Sequence, residues 1–163
     1  MLRPYMRVTM LLPKLKSDRT VWVQFRDTFY LQLKFLSRDA YSKLRDECLT
    51  RQWDSMTGQF SDVLDRPKFY RRFAEDAIVG WRGLSESILR ALIDLEQYPA
   101  EELLFSIDDA VVLMQHAYGF DLWVERVCQN LQAFESARLA QQKKDSSLMV
   151  TASLKAAVLA GGN

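Results

Sequence analysis

Between Val21 and Leu36 apolar and polar side chains alternate. Val21, Val23 and Phe25 take turns with Trp22, Gln24 and Arg26. After Asp27-Thr28, Phe29, Leu31, Leu33 and Phe35 take turns with Tyr30, Gln32, Lys34 and Leu36. A period of two on both sides of a two-residue break, in aromatic and β-branched residues, predicts a β-hairpin. A hairpin alone is marginal in water, so this one must lean on helices or join a partner's strand.

From Ser37 the apolar period lengthens to three or four, and the rest of the chain reads as helix. Ser37 is placed to cap a helix to about Arg51, with Tyr41, Leu44 and Cys48 on one face. A loop, WDSMTGQFSD, follows, with Gly58 as its breaker. Asp65 caps the next helix and Pro67 falls in its first turn, where a missing N–H is harmless. Phe69, Phe73 and Ala77, with Tyr70, Ala74 and Ile78, give that helix a wide apolar face. Gly80 is expected to end it in a left-handed conformation. Ser85 then caps ESILRALIDLEQ. On this reading Gly80 and Gly83 turn the chain between two helices and Trp81 plugs the corner.

Pro99 is expected to open a short acidic helix, AEELLFS, and Ser106 or Asp108 another, which Gly119 breaks. Asp121 is placed to cap a last long helix through Trp123, Val127, Leu131 and Phe134. The fold class that results is α+β, mostly α: an N-terminal β-hairpin followed by about five helices. Three stretches follow: a basic arm, 1–19, broken by Pro4 and Pro13; one domain, 20–136; and a tail, 137–163. The tail is expected to be flexible in isolation, or to form an amphipathic helix against a partner through Leu148, Leu154, Val158 and Leu159.

Composition narrows the function. Of 163 residues 48% are apolar, enough for a core, and 26% are charged. The net charge of +1 gives the chain as a whole no basic signal for nucleic acid. Its distribution is uneven. Residues 1–20 hold five bases (Arg3, Arg7, Lys14, Lys16, Arg19) and one acid, whereas residues 91–125 hold eight acids and no Lys or Arg. The two segments can attract one another within or between subunits, or each can be solvated surface. No signal peptide or membrane-length apolar run is visible, so a cytoplasmic chain with no membrane partner is expected.

Catalytic groups are scarce. The single histidine, His116, sits in an apolar helical pattern, far in sequence from any nucleophile motif. Cys48 and Cys128 lie at apolar helical positions, outside any metal-ligand spacing. The neighbours Asp108-Asp109 and Glu101-Glu102 point about 100° apart on a helix, so neither makes a paired-carboxylate site. Lys68, Arg71 and Arg72 are followed by Glu75 and Asp76 at ion-pair spacing, which reads as a solvated face rather than a phosphate contact. No enzyme, cofactor or metal site is expected. Twelve per cent aromatic residues and six methionines suit a surface that holds another polypeptide, or simply a core.

Four short motifs occur in order: Leu-Ser-Arg at Leu36–Arg38, Trp-Asp at Trp53–Asp54, Leu-Asp at Leu64–Asp65, and Val-Gly-Trp-Arg-Gly-Leu at Val79–Leu84. With the preceding hairpin, over residues 20–95, they resemble the tail assembly chaperones of long-tailed (siphovirus-type) bacteriophages. The resemblance implies a non-enzymatic protein of the infected cytoplasm, absent from the finished virion. It would be a homo-oligomer that coats the tape measure protein and helps bring tail tube subunits to it. In many such phages a ribosomal frameshift extends the chain, and Gln141–Lys144 could be encoded by a slippery A-rich run. Gly80, Trp81 and Gly83 carry over as fold determinants, not as a binding site. The alternatives are a structural particle protein (head–tail connector or tail terminator) and a small DNA-binding regulator.

Overall fold

The computed structural model describes residues 19–160. The order is β1 (Thr20–Arg26), β2 (Phe29–Lys34), α1 (Arg38–Glu47), β3 (Leu49–Asp54), β4 (Gln59–Leu64), α2 (Arg66–Ala77), β5 (Ile78–Arg82), α3 (Glu86–Leu92), α4 (Ile107–His116), α5 (Phe120–Gln129) and α6 (Leu131–Ala160). The chain is α+β, predominantly helical, and opens on the expected hairpin. The basic arm lies outside the described residues, except for Arg19.

The hairpin of β1 and β2 turns at Asp27-Thr28, with Asp27 at φ 47°. Its third strand comes from the same chain, in the antiparallel order β1-β2-β5. Register places Val21 opposite Leu33, Val23 opposite Leu31, Leu31 opposite Trp81 and Leu33 opposite Ile78, so one face is an apolar layer. Helices α2 and α5 close over it, α4 packs on both of them, and the start of α6 packs along β1. Phe29, Leu31, Leu33, Phe73 and Phe120 are fully buried there, and no polar or charged residue is buried among the described residues. Rings interlock: Phe29 stacks on Phe120 at 6.3 Å and meets Trp81 edge-on at 6.1 Å. Each such ring removes ~150–250 Å² from water.

Several caps fall where the sequence puts them. Ser37 Oγ accepts from Ala40 N, Asp65 Oδ1 from Lys68 N, and Ser106 Oγ from Asp109 N. Elsewhere the structure corrects the expectation. Helix α1 stops at Glu47 and the chain enters a second hairpin, β3–β4, where a loop is expected. Tip residue Asp54 accepts from Met56 N and Thr57 Oγ1, both at 2.8 Å, which draws its carboxyl below the usual range. Gly58 closes the turn at φ 66°. Short-range hydrogen bonding at a turn thus overrides a pattern too polar to suggest strand.

Residues 78–82 are strand β5, not the end of a helix, because Ile78 and Trp81 complete the sheet's apolar layer. Helix α3 ends at Leu92, and AEELLFS forms no helix. That segment runs beside β5 instead: Leu103 N donates to Leu84 O and Trp81 Nε1 to Leu103 O. The long helix expected from Asp121 is two helices. Asn130 breaks it, and its side chain accepts from Ala133 N to cap α6.

Candidate functional site

The corner motif comes first, since it carries the resemblance. Trp81 is buried, donates its indole N–H to Leu103 O at 2.8 Å, and meets Phe105 edge-on at 5.0 Å. It is a pin, but it joins a sheet to a loop rather than two helices. Gly80 does not turn the chain. It lies in β5 without positive φ, and a Cβ there meets only Gln32 Oε1 at 3.8 Å. Gly83 is the indispensable one: φ is 76° and a Cβ would stand 1.9 Å from Thr28 O. Its carbonyl accepts from Thr28 Oγ1 at 3.2 Å, and its N–H donates to Glu102. Trp81 and Gly83 therefore set the fold, Gly80 does not, and none of the three offers a ligand-facing group.

The titratable groups are engaged structurally. Tyr41 donates to Glu125 at 2.8 Å, across α1 and α5. Burial first, then the carboxylate, pushes Tyr41 up to about 12, while burial raises Glu125. Tyr70 donates to Asp121 at 3.0 Å, and Arg71 pairs with Asp108 at 3.1 Å. Cys48 and Cys128 are free and buried, which pushes both thiols up. His116 lies exposed in the last turn of α4. Among the described residues no group of three His, Cys, Asp or Glu is placed to hold a metal.

Two uncovered apolar surfaces stand out. The larger is α6. Phe134 is buried and meets Phe35 edge-on at 5.6 Å, and Arg19 and Glu135 form an ion pair at the same end. From Arg138 to Ala160 every residue is exposed. That stretch includes Leu148, Met149, Val150, Leu154, Val158 and Leu159, each at least 60% exposed. Between Leu148 and Ala160 the only charge is Lys155. At about 100° per residue these apolar positions circle the axis instead of forming a stripe. A helix apolar on all sides is normally enclosed by protein or lipid. No described helix is long and apolar enough to cross a membrane.

The smaller surface is the β3–β4 tip. Trp53 pairs with Phe60 across the strands, the rings 5.0 Å apart, and the Arg51 guanidinium lies over Phe60 at 5.0 Å. Both rings are 58% exposed, and Met56 at the turn is 94% exposed. The sequence marks Trp53 only as part of a motif. Only the register shows that it meets Phe60 on one face.

Sequence reasoning found Leu148, Leu154, Val158 and Leu159 but placed them on one side of a helix. It took the boundary at 136/137 as the start of a tail, and α6 runs unbroken across it. No protein-family model, curated protein or solved structure matches the chain.

Proposed function

We propose that this chain is a non-enzymatic assembly chaperone for a long-tailed bacteriophage, which holds the tape measure protein and helps recruit tail tube subunits during tail morphogenesis. One observation carries the reading: the distal half of α6 carries apolar side chains around its whole circumference and is exposed at every residue. A tape measure protein supplies long apolar helices that must be kept from one another until tube subunits enclose them. Helix-on-helix burial returns about 25 cal/mol per Å² of apolar surface. Spread over several copies, such contacts hold firmly as a set and yield one at a time to an incoming subunit. The Trp53–Phe60 tip adds a second, aromatic contact of the kind that dominates interfaces. The chain would act in the host cytoplasm, as a homo-oligomer, and be absent from the mature virion.

The test mixes purified protein with the tape measure protein of its own phage. The expected result is a soluble complex at stoichiometric ratios, lost with Leu154→Asp/Val158→Asp. Unchanged solubility of the tape measure protein at every ratio would sink the proposal. The bare α6 would serve equally in a subunit that stays in the particle, such as a head–tail connector or tail terminator. Mass spectrometry of purified virions separates the two, since only the particle protein is found there.

A further inference from the structure

A third apolar surface has a different character. Between α3 and α4 lies a groove of about 250 Å³, lined by Leu89, Ile93, Leu95, Pro99 and Val112, with Asp109 at its edge. Leu104, on the segment leading into α4, is 80% exposed. The groove is smaller than the ~300–1,000 Å³ of ordinary small-molecule sites, a size that suits a few side chains of a peptide.

Its surroundings are acidic. Asp94 and Glu96 flank Leu95, and Glu101 follows Pro99 by two residues; all three are exposed. None of them forms an ion pair among the described residues. The nearest base in sequence, Arg90, is taken up by Glu86 at 2.8 Å and by the Tyr98 ring at 4.2 Å. The whole stretch from 91 to 125 has no Lys or Arg to offset its acids. An occupant must therefore be apolar and basic at once.

We infer that the groove receives the chain's own N-terminal arm, residues 6–16. Met6, Val8, Met10 and Leu12 recur at every second position, with Arg7 among them and Lys14 and Lys16 just beyond. An extended segment thus presents an apolar row to the groove, with Lys14 and Lys16 beyond its end for the acidic rim and Arg7 on the opposite face. Reach decides which copy supplies the arm: the seven residues from Leu12 to Arg19 span at most ~25 Å, so a groove farther than that from Arg19 is filled by a neighbour's arm. Distal α6 is the rival apolar segment in this chain. Its last thirteen described residues, Leu148–Ala160, carry a single base, Lys155, which matches the acidic rim less well. The inference is independent of what α6 binds, and it stands if the tape measure protein is not the partner.

The experiment uses the full chain with a photo-crosslinking amino acid in place of Met10, on the row that faces the groove, irradiated and mapped by mass spectrometry. Crosslinks should fall within residues 89–113. They should weaken at least ~3-fold between 0.05 and 0.5 M NaCl, because the exposed rim charges are screened. Glu96→Lys/Glu101→Lys should weaken them as much, whereas Asp62→Lys on the second hairpin should not. A sample mixed from two isotope labels shows which copy supplies the arm, and either copy upholds the contact. Crosslinks mapping to α6 or to the sheet, crosslinks indifferent to Glu96→Lys/Glu101→Lys, or none at low salt would overturn it.

Discussion

The two hairpins of this chain are built alike and placed in opposite surroundings. Both are antiparallel, both carry aromatic residues, and each turns at an Asp-containing tip. The first, β1–β2, lays one face on the core, and Phe29, Leu31 and Leu33 lose all their exposure. The second, β3–β4, has its root at Leu49 and Leu64 and is otherwise exposed almost to its tip. Burial thus decides what an aromatic pair is for. In the first hairpin rings hold the fold; in the second they are available to another molecule.

Substitutions can break this contrast. Phe29→Ala removes a ring that touches Phe25, Trp81 and Phe120, and should cost about 3–5 kcal/mol. At ~2–4 °C per kcal/mol for a chain this size, thermal denaturation should show a fall of roughly 6–20 °C. A loss under about 3 °C would mean that the first hairpin does not anchor the core.

The glycines give a finer test. Gly83→Ala meets both a positive φ and the Thr28 carbonyl, so it should cost ~2–3 kcal/mol in chemical denaturation. Gly58→Ala at the second tip has open space and only the left-handed backbone to strain, ~1–2 kcal/mol. Gly80→Ala should be close to neutral. Equal effects at Gly83 and Gly58 would erase the difference between a packed turn and a free one.

Trp53→Ala should cost under about 1 kcal/mol, since an aromatic pair contributes ~0.5–1.5 kcal/mol even in good surroundings and this one is wet. It should nevertheless weaken capture of the tape measure protein. A large drop in melting temperature with unchanged capture would reverse the roles assigned to the hairpins.

The smallest effect concerns α1, from which the second hairpin hangs. Folding raises the Tyr41 pKa from 10.0 to about 12, so the folded state holds this proton more tightly than the unfolded chain. The stabilisation it gives is full below pH 10.0 and is lost as pH rises through about 12. Glu125 is also raised, so its share is full in acid and lost as pH climbs above the usual carboxylate range. Spectrophotometric titration should show two tyrosines ionising late, because burial and then Asp121 also raise Tyr70, and Tyr41→Phe should remove one of them while flattening the alkaline loss of stability. A titration identical to the wild type would mean that Tyr41 is not one of them.

The same contrast explains what could be read from the sequence. One-sided burial writes a period of two, so β1–β2 was legible down to its Asp27-Thr28 turn. β3–β4 buries neither face, so selection for a core left no alternation in it, and its turn depends on hydrogen bonds to Asp54 that only the folded tip reveals. Strand β5 was misread because Ile78 follows Ala77 with no loop, so the helical apolar face of α2 runs on into a strand. The α6 surface was half legible. Its apolar residues were visible, but a period fitted to four of them suggested a stripe, and the exposure of all sides is a fact of tertiary structure. The groove between α3 and α4 was invisible, because the segment lining it was expected to be helix.

Phe134 gives α6 a property of another kind. Its ring is the helix's one fully buried anchor, and 26 residues lie beyond it. At 1.5 Å per residue that is a lever of about 39 Å, so a tilt of 10° at the ring moves Ala160 by roughly 7 Å. The aim of the rod is therefore set in its first turns, where Phe134 seats against Phe35, Ala137 packs on the core and Glu135 pairs with Arg19, and a single methylene's change in that socket is magnified into a different spacing at the far end.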